Sequence, residues 1–325
     1  MNTPVSLLII LTQAASSLDC GDVSALIAGV DRDFREGKLE EATIGADHAL
    51  SCSNATAGER VTLHLKLSEI YDRKGLHSNS RPVQATLWSI ESAAELVEQA
   101  DLTSKAAINL ATARFYYRSE EPDSNYPTSR RFARTALALF EELADLHGQA
   151  DILHLTGLFH LQRRELNEAQ AYFERSLILE LQSEAPRPIM LADYERHMGF
   201  VHQLSGDLKR AIQKFERSYV IRRDNGLTDQ AMFAAASLGR ALISDNRADE
   251  AEAPLEYALT TALALDSPEG LARTALALGQ MHEQLGNREA AIKSFEASLA
   301  AAREIDRTSI IEHAGAALER LLQTR

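Results

Sequence analysis

Apolar residues recur along the chain at spacings of three and four, and short polar breaks such as 205–207 and 285–287 interrupt them. This spacing places the apolar side chains on one face of an amphipathic helix. The pattern therefore predicts a succession of helices, each of which packs one face against its neighbours.

The pattern also repeats along the second half of the chain. Each unit has a glycine in its first helix, an alanine twelve residues later in its second helix, and a large apolar residue four residues beyond that alanine. The four sets are Gly157, Ala169 and Phe173; Gly199, Ala211 and Phe215; Gly239, Ala251 and Leu255; and Gly279, Ala291 and Phe295. The glycines are 42, 40 and 40 residues apart, and a fixed period of this size is typical of stacked-repeat proteins. We expect a close helix crossing at each glycine, with Gly157 opposite Ala169.

The same frame extends with weaker matches toward the N-terminus. It gives seven helix pairs, followed by a helix at 308–323 that caps the last pair. The pairs are expected at 20–52, 58–98, 104–146, 150–182, 190–224, 230–265 and 270–303. The segment EEPDSNYPTS at 120–129 is expected to be a long loop. The predicted fold is an all-α, right-handed superhelical solenoid over 18–325.

The repeat resembles the tetratricopeptide repeat, which has Leu-Gly-x-x-Tyr in its first helix and Ala-x-x-x-Phe-x-x-Ala in its second. Leu238-Gly239 and Leu278-Gly279 match directly, and His160, His202 and His282 stand at the tyrosine position. The period exceeds the usual 34 residues, as in the long-helix subclass found in kinesin light chains and bacterial peptide-pheromone receptors. The resemblance is strongest over 150–305. It implies that first helices line a concave groove that binds a protein or peptide.

The resemblance also implies where ligand contacts would lie, because groove side chains of such repeats flank the glycine. The candidates on this chain are Lys105, Asn109, His154, Arg196, Phe200, Arg240, Arg273 and Gln280. Arg196 and Arg240 come from adjacent repeats and could bind a peptide carboxylate or an acidic side chain. The alternative is that they pair with the acids of their own solenoid.

The N-terminus and the two cysteines indicate export. An apolar run at 5–11 is followed by small and polar residues, a pattern typical of a secretory signal peptide over 1–17, although 1–4 contains no Lys or Arg. The alternative is an apolar first helix; the run is too short to span a membrane. Cys20 and Cys52 fall at the start of the first predicted helix and the end of the second, which are neighbours in an antiparallel pair. We expect a disulfide there, which would favour an exported protein, rather than two thiols in a cytosolic one.

Composition and motifs argue against other classes of function. The net charge of −13 disfavours nucleic acid as a partner. The sequence contains no phosphate-binding loop, nucleophile elbow or zinc-protease motif. His160, His202 and His282 share one repeat register, and equivalent positions lie too far apart to share a metal ion. We therefore expect no catalytic residues, no cofactor and no metal site. The sequence favours an exported, non-catalytic binding scaffold; the alternative is a cytoplasmic sensory or regulatory arm that acts with a separate output protein.

Overall fold

The computed structural model describes residues 20–74, 83–96, 101–118 and 122–323. Over these residues the chain forms fifteen α-helices and no β-strand. The helices are α1 (Val23–Arg35), α2 (Leu39–Ser51), α3 (Ala57–Lys74), α4 (Val83–Glu95), α5 (Leu102–Tyr117), α6 (Pro122–Glu142), α7 (Leu146–Gln162), α8 (Leu166–Gln182), α9 (Pro188–Leu204), α10 (Leu208–Asp224), α11 (Thr228–Ser244), α12 (Glu252–Ala264), α13 (Pro268–Gln284), α14 (Arg288–Glu304) and α15 (Thr308–Gln323). A short 3-10 turn, Ala248–Ala251, precedes α12. The all-α solenoid predicted from the sequence is confirmed.

Helices pack most closely within consecutive pairs, such as α7 with α8 and α13 with α14. First helices of neighbouring pairs also contact each other, as α11 and α13 do, whereas second helices of neighbouring pairs make fewer contacts over the described residues. The closer spacing of the first helices puts them on the inner, concave side of the solenoid. Helix α15 packs on α14 and covers its apolar face.

Four glycines allow a large side chain of the second helix to pack against the backbone of the first. A Cβ atom added at any of them would lie 2.5–2.7 Å from that side chain, closer than real Cβ contacts permit. The pairs are Gly157 with Phe173, Gly199 with Phe215, Gly239 with Leu255, and Gly279 with Phe295. The expected pairing of Gly157 with Ala169 is therefore wrong. Because the large residue points at the glycine, its own volume sets the close crossing.

A buried serine adds a hydrogen bond across three of these hairpins and across the preceding α5–α6 hairpin. The serine hydroxyl donates to a backbone carbonyl oxygen of the first helix. The bonds join Ser129 to Ala113 (2.5 Å), Ser176 to Ala150 (2.7 Å), Ser218 to Ala192 (2.9 Å) and Ser298 to Ala272 (2.8 Å). The second helix is thus fixed both in rotation and along its axis.

The predicted long loop at 120–129 is wrong over its described residues, because α6 begins at Pro122 and includes Pro127. Proline in a helix removes a hydrogen bond, but packing outweighs this cost here. The Tyr126 ring lies 5.1 Å from the Phe159 ring, and Ser129 makes the buried bond to α5. Tertiary contacts therefore extend the helix into a sequence that favours a turn.

The first hairpin is closed by a disulfide between Cys20 and Cys52, whose Cα atoms lie 5.6 Å apart. Cys20 precedes α1 and Cys52 caps the C-terminus of α2. The signal-peptide prediction falls on 1–17, outside the described residues. Within the described ranges, no helix combines the length and hydrophobicity that a membrane span requires.

Candidate ligand groove

The concave face carries two arginines that have no acidic partner in the part of the chain that the structure describes. Arg196 lies on α9 and Arg240 on α11, and both are half-buried. Neither forms an ion pair with a carboxylate among the described residues, and the Nε atom of Arg196 is buried without a hydrogen-bond partner. The Arg196 guanidinium lies 5.2 Å from the Phe200 ring centre. Unpaired guanidiniums are notable in a chain with a net charge of −13.

Nearby acids are already engaged by other basic side chains. Asp151 accepts hydrogen bonds from Arg114 (3.0 Å) and Arg187 (2.8 Å). Asp193 forms an ion pair with Arg222. The alternative from the sequence, that Arg196 and Arg240 pair with acids of the solenoid, is therefore not what this arrangement shows.

Burial and mutual repulsion weaken the charged state of these arginines. Burial, together with the guanidiniums of Arg222, Arg273 and Arg240, lowers the pKa of Arg196 to about 10, although Asp193 opposes the shift. Burial and Arg273 also lower the pKa of Arg240. With a pKa of about 10, Arg196 remains charged at neutral pH. The groove thus concentrates positive charge that a bound anion would neutralise.

The other groove candidates differ in how accessible they are. Arg273 forms an ion pair with Glu269, and its side chain is 45% exposed, so it can also reach a ligand. Lys105 is half-buried on α5, and the Asn109 amide donates to the Lys105 carbonyl oxygen (2.8 Å) rather than pointing outward. Gln280 lines a small cavity at the C-terminal end of the solenoid. The candidates therefore do not form one cluster.

His154 is buried and forms a hydrogen-bonded pair that the sequence did not suggest. Its Nε2 atom lies 2.9 Å from Nδ1 of His197 on α9, and the rings of both pack on Phe173. Burial lowers the pKa of His154 and, with His154 and Arg196 nearby, lowers that of His197 well below its usual value. Both rings are neutral at pH 7, so they contribute packing beneath the groove rather than charge within it.

A second feature that the sequence pattern did not predict is an ion pair across the solenoid. Arg73 on α3 makes a bidentate contact with Asp229 at the start of α11, and the two side chains are only 8% and 4% exposed. Arg73 also donates to the Phe34 carbonyl oxygen (2.6 Å) and lies over the Phe34 ring. The partners are 156 residues apart. This contact ties the N-terminal hairpins to the middle of the array.

These features define an α-solenoid of helical hairpins with a charged concave groove. Comparison with known proteins relates one of these hairpins to a repeat family. Residues 272–305 match the tetratricopeptide-repeat family model. Tetratricopeptide repeat protein 29 from Trypanosoma brucei brucei is 26% identical over 198 residues, which cover 57% of this chain and 41% of that protein. The chain therefore contains a tetratricopeptide repeat at 272–305 and is similar to tetratricopeptide-repeat proteins over more than half its length.

Solved structures of the same fold cover nearly the whole chain. A Rap protein complexed with competence and sporulation factor has a TM-score of 0.58 at 15% identity, over 94% of this chain and 97% of that one. Aspartyl phosphate phosphatase F from Bacillus subtilis gives 0.58 at 11% identity, over 95% and 82%. A Rap conjugation gene regulator in complex with a Phr peptide gives 0.57 at 14% identity, over 93% and 96%. At such low identities, the similarity establishes the fold alone.

Proposed function

We propose that this protein is a non-catalytic scaffold that binds a protein or peptide partner in its concave groove, and that Arg196 and Arg240 hold an acidic group of that partner. The observation that carries the proposal is the pair of half-buried guanidiniums that no carboxylate of the described ranges contacts. Guanidinium–carboxylate hydrogen bonds are strong and directional, and they strengthen where water is excluded. Two structural neighbours bound to a competence factor and a Phr peptide support a peptide as the ligand class.

The test uses a library of random short peptides with free C-termini, panned against the full chain. We expect selected peptides to share an acidic side chain or to depend on the free carboxylate. Charge-assisted hydrogen bonds contribute about 1.5–3 kcal/mol each, so Arg196→Gln/Arg240→Gln should weaken the best peptide by at least about tenfold. Fluorescence anisotropy with the labelled peptide measures this change.

Arg217→Gln is the matched control, because that side chain is 70% exposed and lies 3.6 Å from Glu195. It should leave peptide affinity unchanged. Selection of peptides without acidic character, or equal affinity in the Arg196→Gln/Arg240→Gln variant, would reject the assignment of these arginines to the ligand.

We further propose that the protein is exported, on the basis of the signal-like 1–17 and the Cys20–Cys52 disulfide. Mass spectrometry of the protein from its native source should find a chain that begins near residue 18 and lacks free thiols. An intact Met1 with two free thiols would instead support the cytoplasmic alternative, a sensory or regulatory arm with a separate output protein. The Rap regulators among the structural neighbours are the observation that favours that alternative.

A further inference from the structure

Three side chains that can bind metals meet at the open end of the first hairpin. Cys52 caps α2, His48 lies one turn earlier on the same helix, and Cys20 precedes α1. Residues four apart on a helix share a face, and the disulfide brings Cys20 to that face. One ligand atom from each residue lies within 4.8 Å of the other two.

The His48 imidazole has an unused ligand atom. Its Nε2 is buried and has no hydrogen-bond partner among the described residues. A buried polar atom that lacks a partner destabilises the folded state. The disulfide provides no donor or acceptor that would satisfy it well, since disulfide sulfur is a poor acceptor. If the disulfide is reduced, a metal ion bound by the two sulfurs would provide a partner for the His48 nitrogen.

The dimensions suit a thiophilic cation. Zn–S bonds are about 2.3 Å and Zn–N bonds about 2.0–2.1 Å, so two ligands of one ion lie at most about 4.6 Å apart. The three atoms therefore need only small shifts to converge on one ion. Cys20 can make such a shift, because it lies ahead of α1 and is not part of a helix. Two thiolates and an imidazole favour Zn²⁺ or Cu⁺ over harder cations.

We propose that Cys20, His48 and Cys52 form a binding site for a thiophilic d¹⁰ cation when the disulfide is reduced. A dithiol reductant supplies two electrons and two protons, breaks the sulfur–sulfur bond to give two thiols, and itself becomes a disulfide. Metal binding then displaces both thiol protons. The terminal hairpin thus has two alternative closures, a disulfide under oxidising conditions and a metal ion under reducing ones.

The test uses the full chain, reduced with a phosphine that is then removed without oxygen. Titration with Co²⁺ should show one ion per chain with a thiolate-to-cobalt charge-transfer band, and Zn²⁺ should displace it. Cu⁺ is titrated separately against a chromophoric chelator, to distinguish the two cations. The oxidised chain should bind neither. Either metal should raise the unfolding temperature of the reduced chain.

His48→Gln separates a three-ligand site from simple chelation by two thiols. It should weaken metal affinity by more than about tenfold, because even an outer-shell partner of a metal ligand contributes that much. The matched control is His160→Gln, which removes a helix-surface imidazole bound to Glu165 (2.6 Å). It should bind like the wild type.

Two results would overturn the proposal: no metal uptake by the reduced chain, or the same affinity and spectrum in His48→Gln as in the wild type. The oxidised His48→Gln variant provides the folding control. It should unfold close to the wild-type temperature, because glutamine keeps a polar side chain at this position and the disulfide is still formed.

Discussion

Alanine at Gly279 should destabilise the protein even though alanine is the better helix former. A Cβ atom there would lie 2.6 Å from two atoms of the Phe295 ring and 2.9 Å from a third. Phe295 is fully buried and packs against α15, so any movement of the ring disturbs that packing. The ring, or the whole of α14, must move by close to 1 Å to restore ordinary contact.

The magnitude follows from two opposing contributions. Replacing Gly by Ala in a helix interior stabilises it by about 1 kcal/mol, whereas overpacking a buried site costs about 1–3 kcal/mol and occasionally more. The contact at Gly279 involves several ring atoms and a fully buried partner, which places it at the upper end. We expect Gly279→Ala to lower the free energy of unfolding by about 1–2 kcal/mol net.

Gly315→Ala is the matched control, because Gly315 lies within α15 and a Cβ there would meet nothing within 4 Å. It should stabilise the protein by about 0.5–1 kcal/mol. Urea unfolding followed by circular dichroism measures both variants on the same scale. In Gly279→Ala/Phe295→Leu, the smaller side chain should cost less than the two single changes together. A Gly279→Ala protein as stable as Gly315→Ala would refute the close-packing role of these glycines.

The cross-solenoid ion pair, the buried histidine pair and the disulfide give three further predictions. Arg73→Met removes the guanidinium from the buried Asp229 carboxylate, and breaking a buried ion pair costs about 3–5 kcal/mol unless the solenoid opens. Small-angle scattering should then show a larger radius of gyration than for Arg73→Met/Asp229→Leu, and equal dimensions would contradict a closing role. His197 has a folded-state pKa below the unfolded value of about 6.5, so its contribution to stability is present above that pH and is lost as the pH falls toward the folded pKa. Urea midpoints should therefore drop less between about pH 7 and pH 5 in His197→Gln than in the wild type, and parallel curves would argue against a buried neutral ring. Reducing the Cys20–Cys52 disulfide opens a loop with a sequence separation of 32 residues. This should lower the free energy of unfolding by about 3–4 kcal/mol. An unchanged urea midpoint would show that the first hairpin stays folded without its disulfide.

The repeat pattern predicted the fold because one local rule recurs. Each glycine and the large residue sixteen positions later occur at fixed spacing, so the sequence contains both partners of the crossing. It did not show which residue of the second helix meets the glycine, because Ala169 and Phe173 lie on adjacent turns of the same buried face. Choosing between them needs the rotation of the second helix, which the buried serine bonds help to set.

Contacts between distant repeats could not be predicted in this way. Arg73 and Asp229 are joined by the curvature of the whole array, and curvature accumulates from small rotations at every repeat. The His154–His197 pair joins adjacent repeats, but the two residues occupy different registers relative to their glycines. A pattern based on equivalent positions therefore overlooks it. The available signal for the Arg73–Asp229 pair was the presence of opposite charges on the inner faces of repeats that are two or more units apart.

The charges of the concave face link the stability of the solenoid to its ligand. The lowered pKa of Arg196 means that burial and the neighbouring guanidiniums disfavour its charged form relative to water. An anion bound between Arg196 and Arg240 would relieve part of that cost while leaving the Arg73–Asp229 pair intact. Because a ligand that binds only the folded state stabilises it by mass action, a ligand at 100 times its dissociation constant should raise the free energy of unfolding by about 2.7 kcal/mol. The Arg196→Gln/Arg240→Gln variant should lose this stabilisation at the same ligand concentration. Without ligand, its stability should change only through the relief of repulsion between the two guanidiniums. Both results together would locate the anion between these two side chains. Equal stabilisation of the variant would place the ligand elsewhere on the concave face.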